Sequence, residues 1–110
     1  MNARLKFGDS LNLIRSFKTS GTITPSSKAL IKTLLAPIDF TSARCIIELG
    51  PGTGCVTRSI LERMHTDCVL ICFEVNSDFI GQLEALQDPR LRVVNACASS
   101  IRTILDDLDI

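Results

Sequence analysis

The stretch IELGPGTGCVTRSILERM, residues 47–64, decides the fold. Gly50, Gly52 and Gly54 follow the short apolar run Arg44–Leu49, which carries the acid Glu48 near its end. They precede a segment in which Val56, Ile60, Leu61 and Met64 recur at helical spacing. An apolar run, a glycine turn and an amphipathic helix in succession form the start of a βα unit. Glycine permits the tight turn, positive φ and the close approach of a ligand to bare backbone.

The same alternation continues outward. Cys68–Val75 is apolar and rich in strand-forming residues, with a second acid, Glu74, near its end. Ser77 is placed to cap a helix starting at Asp78, whose apolar face runs through Phe79, Ile80, Leu83 and Leu86. The turn Gln87–Arg90 leads into a strand over Leu91–Val94, and a last helix follows through Ile101, Ile104, Leu105 and Leu108. Near-continuous apolar strands between amphipathic helices predict an α/β fold with a parallel sheet covered on both faces. Right-handed crossovers would give the strand order 3-2-1, a Rossmann-like half-domain. Ahead of it the spacing predicts two helices. Leu11, Ile14 and Phe17 mark one over about Asp9–Lys18; the other runs from the Ser26-Ser27 cap to Leu35, before Pro37. The expected division is a helical arm over residues 1–36 and a cofactor-binding α/β domain over 37–110.

A chain of 110 residues is long enough for one domain, and its 45% hydrophobic and 22% charged content is that of an ordinary globular one. No apolar run approaches the roughly 18 residues of a membrane span, and MNARLKFGDS lacks the pattern of a signal peptide. A cytoplasmic location is the expectation. The five cysteines, Cys45, Cys55, Cys68, Cys72 and Cys97, include no CxxC pair, and His65 is the only histidine. They read as reduced thiols, most of them buried as small hydrophobes, and no metal site is expected. Net charge is zero but uneven: residues 1–36 carry six basic groups against Asp9, and residues 37–110 carry six against eleven acids. A basic arm points to an anionic partner, membrane or nucleic acid, or else to a solvated face.

The glycine loop lies where open α/β sheets bind ligands, at the carboxyl end of the first of these strands. Glu74 follows Gly54 by 20 residues, at the end of the next strand, where a carboxylate can accept from both hydroxyls of a ribose. The spacing is GxGxG. It is not the GxGxxG of dinucleotide sites, since Cys55 stands at the sixth position, and nothing resembles the phosphate-cradling GxxxxGK[ST]. Glu48 beside the loop would repel a pyrophosphate but suits the ammonium of an amino-acid tail. These features favour S-adenosylmethionine, held by Glu48, the loop Gly50, Pro51, Gly52, Thr53 and Gly54, and Glu74.

ELGPGTG at 48–54 and FEVNSDF at 73–79 resemble the cofactor motifs of class I S-adenosylmethionine-dependent methyltransferases. GTITPSSKAL at 21–30, LLAPIDF at 34–40, IIELGPGTG at 46–54 and DPRLRVVNACA at 88–98 are similar to bacterial phospholipid N-methyltransferases, relatives of the ribosomal RNA adenine dimethyltransferases. The resemblance implies methyl transfer to the amine of phosphatidylethanolamine, with Val75 and Asn76 along the adenine. Such proteins often read Gly-Asp-Ala after the third strand, where this chain has Ala96-Cys97-Ala98. A thiol at Cys97 does not replace a carboxylate as acceptor, which weakens the adenine edge of the site unless backbone amides near Cys97 and Ala98 serve instead.

The fold of that family has about seven strands, and three are expected here, so the chain alone is expected to be incomplete as a catalyst, its substrate-choosing residues lying past Ile110. Three further expectations follow. Residues 1–20 would hold an anionic membrane as a basic amphipathic helix, on the inner surface. The bare apolar edge of the strand at 44–49 would pair two copies into a homo-dimer. An RNA adenine methyltransferase fragment, or a non-catalytic cofactor-binding or interaction module, are the alternative functions.

Overall fold

β-Branched and other apolar residues gather in short runs punctuated by Gly, Pro and Asp, and these runs become strands. The structure, a computed structural model, describes residues 11–15 and 28–107. In chain order it contains β1 (Leu11–Arg15), α1 (Lys28–Leu35), β2 (Cys45–Leu49), α2 (Cys55–Arg63), β3 (Val69–Phe73), α3 (Ser77–Glu84), β4 (Leu91–Val94), a 3₁₀ turn (Ala98–Ser100) and α4 (Ile101–Asp107). The four strands form one parallel sheet in the order β1-β2-β3-β4. It is an α/β arrangement compatible with a Rossmann-like half-domain.

The N-terminal reading requires a correction. The segment expected to be helical over Asp9–Lys18 contains a strand instead, with Leu11 opposite Cys45 and Arg15 opposite Leu49. LNLIR satisfies both periods, since its apolar residues recur at two as well as at three, and the unpaired backbone row of β2 decides between them. α1 does occupy the second predicted helical segment. Residues 1–10 and 16–27, and with them most of the basic arm proposed for membrane binding, lie outside the described residues.

β1 also removes the open edge expected at 44–49. β2 is paired on both sides, to β1 and to β3, so a homo-dimer built on that strand has no free backbone to use. The sheet's outer strands are β1 and β4.

Alternation along β2 and β3 sorts their side chains into two layers. Ile46, Leu70 and Cys72 pack with Ile31 and Leu35 of α1, Val56 and Ile60 of α2, and Leu83 of α3. Cys45, Ile47, Ile71 and Phe73 face the other way, against Val94, Ala96, and Ile101 and Ile104 of α4. α1, α2 and α3 share one face because each crossover moves one strand along in the same direction and right-handed connections then return on the same side. Full burial of each large aliphatic side chain contributes about 1.5–3 kcal/mol.

Candidate cofactor site

β2 ends at Leu49, and the Gly50 N–H donates to the Phe73 carbonyl at 3.0 Å, carrying the ladder one residue into the loop. Gly50, Gly52 and Gly54 then adopt φ of 63°, 57° and 89°. An alternating left-handed backbone of this kind strains any L side chain, which accounts for the three glycines. The Gly54 N–H closes a turn on the Pro51 carbonyl at 3.1 Å, and the Arg58 N–H returns to the Gly54 carbonyl at 2.9 Å to start α2. A Cβ at Gly54 would lie 3.1 Å from Leu83 Cδ2, so α3 closes on the loop there; a Cβ at Gly52 would meet nothing within 4 Å. The loop is therefore pressed against the fold at one end and open at its tip.

Glu74 ties the loop to the next strand. The Glu74 N–H donates to the Val94 carbonyl, continuing the β3–β4 ladder, and its carboxyl group turns back over the loop. Oε1 accepts from the Gly52 N–H at 3.1 Å, and Oε2 accepts from the Val75 and Asn76 N–H groups, both at 3.0 Å. The residue is 1% exposed. Asn76 caps α3, its Oδ1 accepting from the Asp78 and Phe79 N–H groups. This corrects the cap expected at Ser77: Asn76 already has extended backbone, so Ser77 becomes the first helical residue. Val75, between the acid and the cap, is 58% exposed and is an unusually open apolar side chain for this molecule.

Glu48 takes a different direction. It shares the parity of Ile46, so it enters the layer beneath α2, where its exposure is 0%. Its Oε1 accepts from the Thr57 hydroxyl at 2.5 Å and from the Cys72 thiol at 3.5 Å. Burial, and after it the adjacent Glu48 carboxyl, pushes the Cys72 thiol well above its ordinary range. The sequence reading missed Thr57 and Cys72; the signal available was a hydroxyl one position after Val56, on the face of α2 that turns to the sheet.

Pro51 is buried and Thr53 exposed, with the Thr53 hydroxyl 3.5 Å from the Cys55 sulfur. Cys97 is exposed on the loop after β4, its sulfur 2.6 Å from the Ser99 hydroxyl, which holds the thiol below its ordinary value. Ala98 opens the 3₁₀ turn. In a parallel sheet the loops after β2, β3 and β4 all leave at the carboxyl end, so residues 50–54, 74–76 and 95–98 share one edge of the fold. Hydrogen bonds unite Gly52, Glu74, Val75 and Asn76 there, while Glu48 sits one layer below. Among the described residues no group of three or more His, Cys, Asp or Glu side chains is placed to hold a metal ion, and no helix is long and apolar enough to cross a membrane.

No family model and no solved structure matches the chain. Over 58 residues it is 41% identical to an ornithine lipid N-methyltransferase of Singulisphaera acidiphila. That likeness supports a methyltransferase relationship. The matched stretch is 53% of this chain and 30% of the relative, so the chain spans less than a third of that enzyme's length.

Proposed function

We propose that the chain is the S-adenosylmethionine-binding portion of an N-methyltransferase that acts on a lipid amine. One observation carries the cofactor half of this reading: the loop's Gly52 N–H points at the protein's own Glu74 carboxyl group. A glycine loop leading into a helix N-terminus ordinarily offers its N–H groups to phosphate. Here that position is taken from within, and Glu48 is buried close below under the first turn of α2. The site therefore disfavours a pyrophosphate and accepts a nucleoside without one.

The residues fit an adenosyl amino acid. Gly52 leaves bare backbone with open space above it, Val75 offers an exposed apolar surface for a purine, and Glu74 supplies acceptors for ribose hydroxyls. Bound S-adenosylmethionine supplies an electrophilic methyl group to a nucleophilic amine. The protein's part is positional: Gly50, Gly52 and Gly54 admit the ligand to the backbone, Glu74 orients its sugar, and Val75 with Asn76 borders its base. The loop at Cys97 and Ala98 meets the far edge of that base with a thiol and backbone amides in place of a carboxylate. On the acceptor side, the relative's name specifies an ornithine lipid, and the stretches similar to phospholipid N-methyltransferases favour phosphatidylethanolamine, a lipid with a primary amine.

Isothermal titration with S-adenosylmethionine, against NAD and ATP as controls, tests the proposal. Heat and thermal stabilisation with S-adenosylmethionine alone are expected. Binding of NAD or ATP, or of nothing, overturns it.

A further inference from the structure

Glu74 is 1% exposed, so no ribose reaches its carboxyl group while the surrounding loops keep this arrangement. The Gly52, Val75 and Asn76 donors to Glu74 differ in kind. Val75 and Asn76 lie next to it in the chain, and both bond one oxygen; Gly52 comes across from another loop and bonds the other. The loop is also unequally held. Gly54 is pressed against Leu83, whereas the space around Gly52 is open, and the residues at both ends of the tip are glycines in the left-handed region. The part of the site that can yield is the tip at Gly52.

We infer that Glu74 is the positioning residue of the glycine loop: it holds the Gly52 N–H in the ligand-free protein, and a ribose hydroxyl takes over that oxygen when a nucleoside binds. Oε1 is enclosed, so a ribose hydroxyl reaches it only where the Gly52 N–H withdraws, and ligand entry and release of the loop tip are a single event. The Val75 and Asn76 bonds persist through the exchange and keep the carboxyl group aimed. The part concerning the ribose rests on the cofactor reading above. The hold on Gly52 stands on the geometry alone.

Amide hydrogen exchange of the full 110-residue chain, read residue by residue by NMR, tests this. In Glu74→Gln the side-chain amide has one carbonyl oxygen, which satisfies the Val75 and Asn76 pair and leaves an NH₂ facing Gly52. Gly52 exchange is expected to accelerate about tenfold while Val75, Asn76 and the β2 amides keep wild-type rates. Equal Gly52 rates in the two proteins overturn the hold. Should Glu74→Gln fail to fold, Glu74→Asp is the second variant: it keeps the charge but its shorter side chain draws the carboxyl group back from Gly52, so faster Gly52 exchange with the β2 amides unchanged is expected, and wild-type Gly52 exchange overturns the hold.

The wild-type protein is then saturated with S-adenosylmethionine. Loss of Gly52 protection with Val75 and Asn76 still protected is the expected result. Calorimetric heat with Gly52 protection unchanged overturns the exchange of partners but leaves the cofactor reading standing. Absence of heat overturns the cofactor reading, and the exchange with it.

Discussion

Glu48 places a carboxyl group where water does not reach, and a hydroxyl and a thiol donate to it there. Thr57→Val keeps the shape of the side chain and removes the donor at 2.5 Å. It is expected to destabilise the fold by about 1–3 kcal/mol, the cost of leaving a buried polar group short of a partner, as measured by urea unfolding. The thiols divide just as sharply. Cys97 is exposed and its thiolate is favoured by Ser99, so it ionises at lower pH than an ordinary cysteine. A disulfide reagent near neutral pH is expected to modify Cys97 before Cys45, Cys68 or Cys72, and Cys97→Ser to abolish the fast phase. Cys45 behaves in the opposite way, its thiol pushed up from 9.0 to about 12 by burial. The unfolded chain therefore releases that proton near its ordinary value while the folded chain retains it. The stability associated with Cys45 is fully present below pH 9 and is lost as pH rises toward 12, the direction that Cys68 and Cys72 share. Denaturant midpoints measured on either side of that window are expected to fall with rising pH, and to fall less in Cys45→Ala.

Between elements, Arg90 ties the turn before β4 to the end of α2. Its guanidinium donates to the Leu61 and Met64 carbonyls at the C-terminal end of α2, both at 3.0 Å, and pairs with Asp88 at 2.7 Å. The planar fork serves all of these at once, which an ammonium group does not. Arg90→Lys is expected to cost about 1–3 kcal/mol by thermal or urea unfolding. β1 carries a second prediction at this scale. It covers the backbone of β2, so a chain lacking residues 1–15 presents that apolar strand to solvent. Such a chain is expected to associate in sedimentation velocity where the intact chain does not. The sequence made the inner elements legible for a physical reason. β2, β3 and β4 are apolar runs cut off by Gly, Pro and Asp, and α2 and α3 repeat their apolar residues at helical spacing. β1 was not legible, because LNLIR suits either period and a neighbour's hydrogen-bonding edge made the choice. Arg90 read only as part of a turn, since its partners lie 26 and 29 residues away.

Across the whole molecule, the candidate site is the place where three strand ends meet, and its legibility was partial. The three glycines and Glu74 could be found by spacing alone, because left-handed backbone and a strand-end acid leave marks in the sequence. The fate of Glu48 is set by strand parity, which puts it with Ile46 under α2. The order of the strands in the sheet is also their order in the chain. Each strand therefore finds its partner in the strand made just before it: Cys45 beside Leu11, Val69 beside Cys45, Leu91 beside Leu70. No strand has to be threaded between two others already in place, so loop-closure entropy is met in comparable instalments. During synthesis on the ribosome, each strand that emerges meets a finished template, and the sheet can grow in the direction of translation.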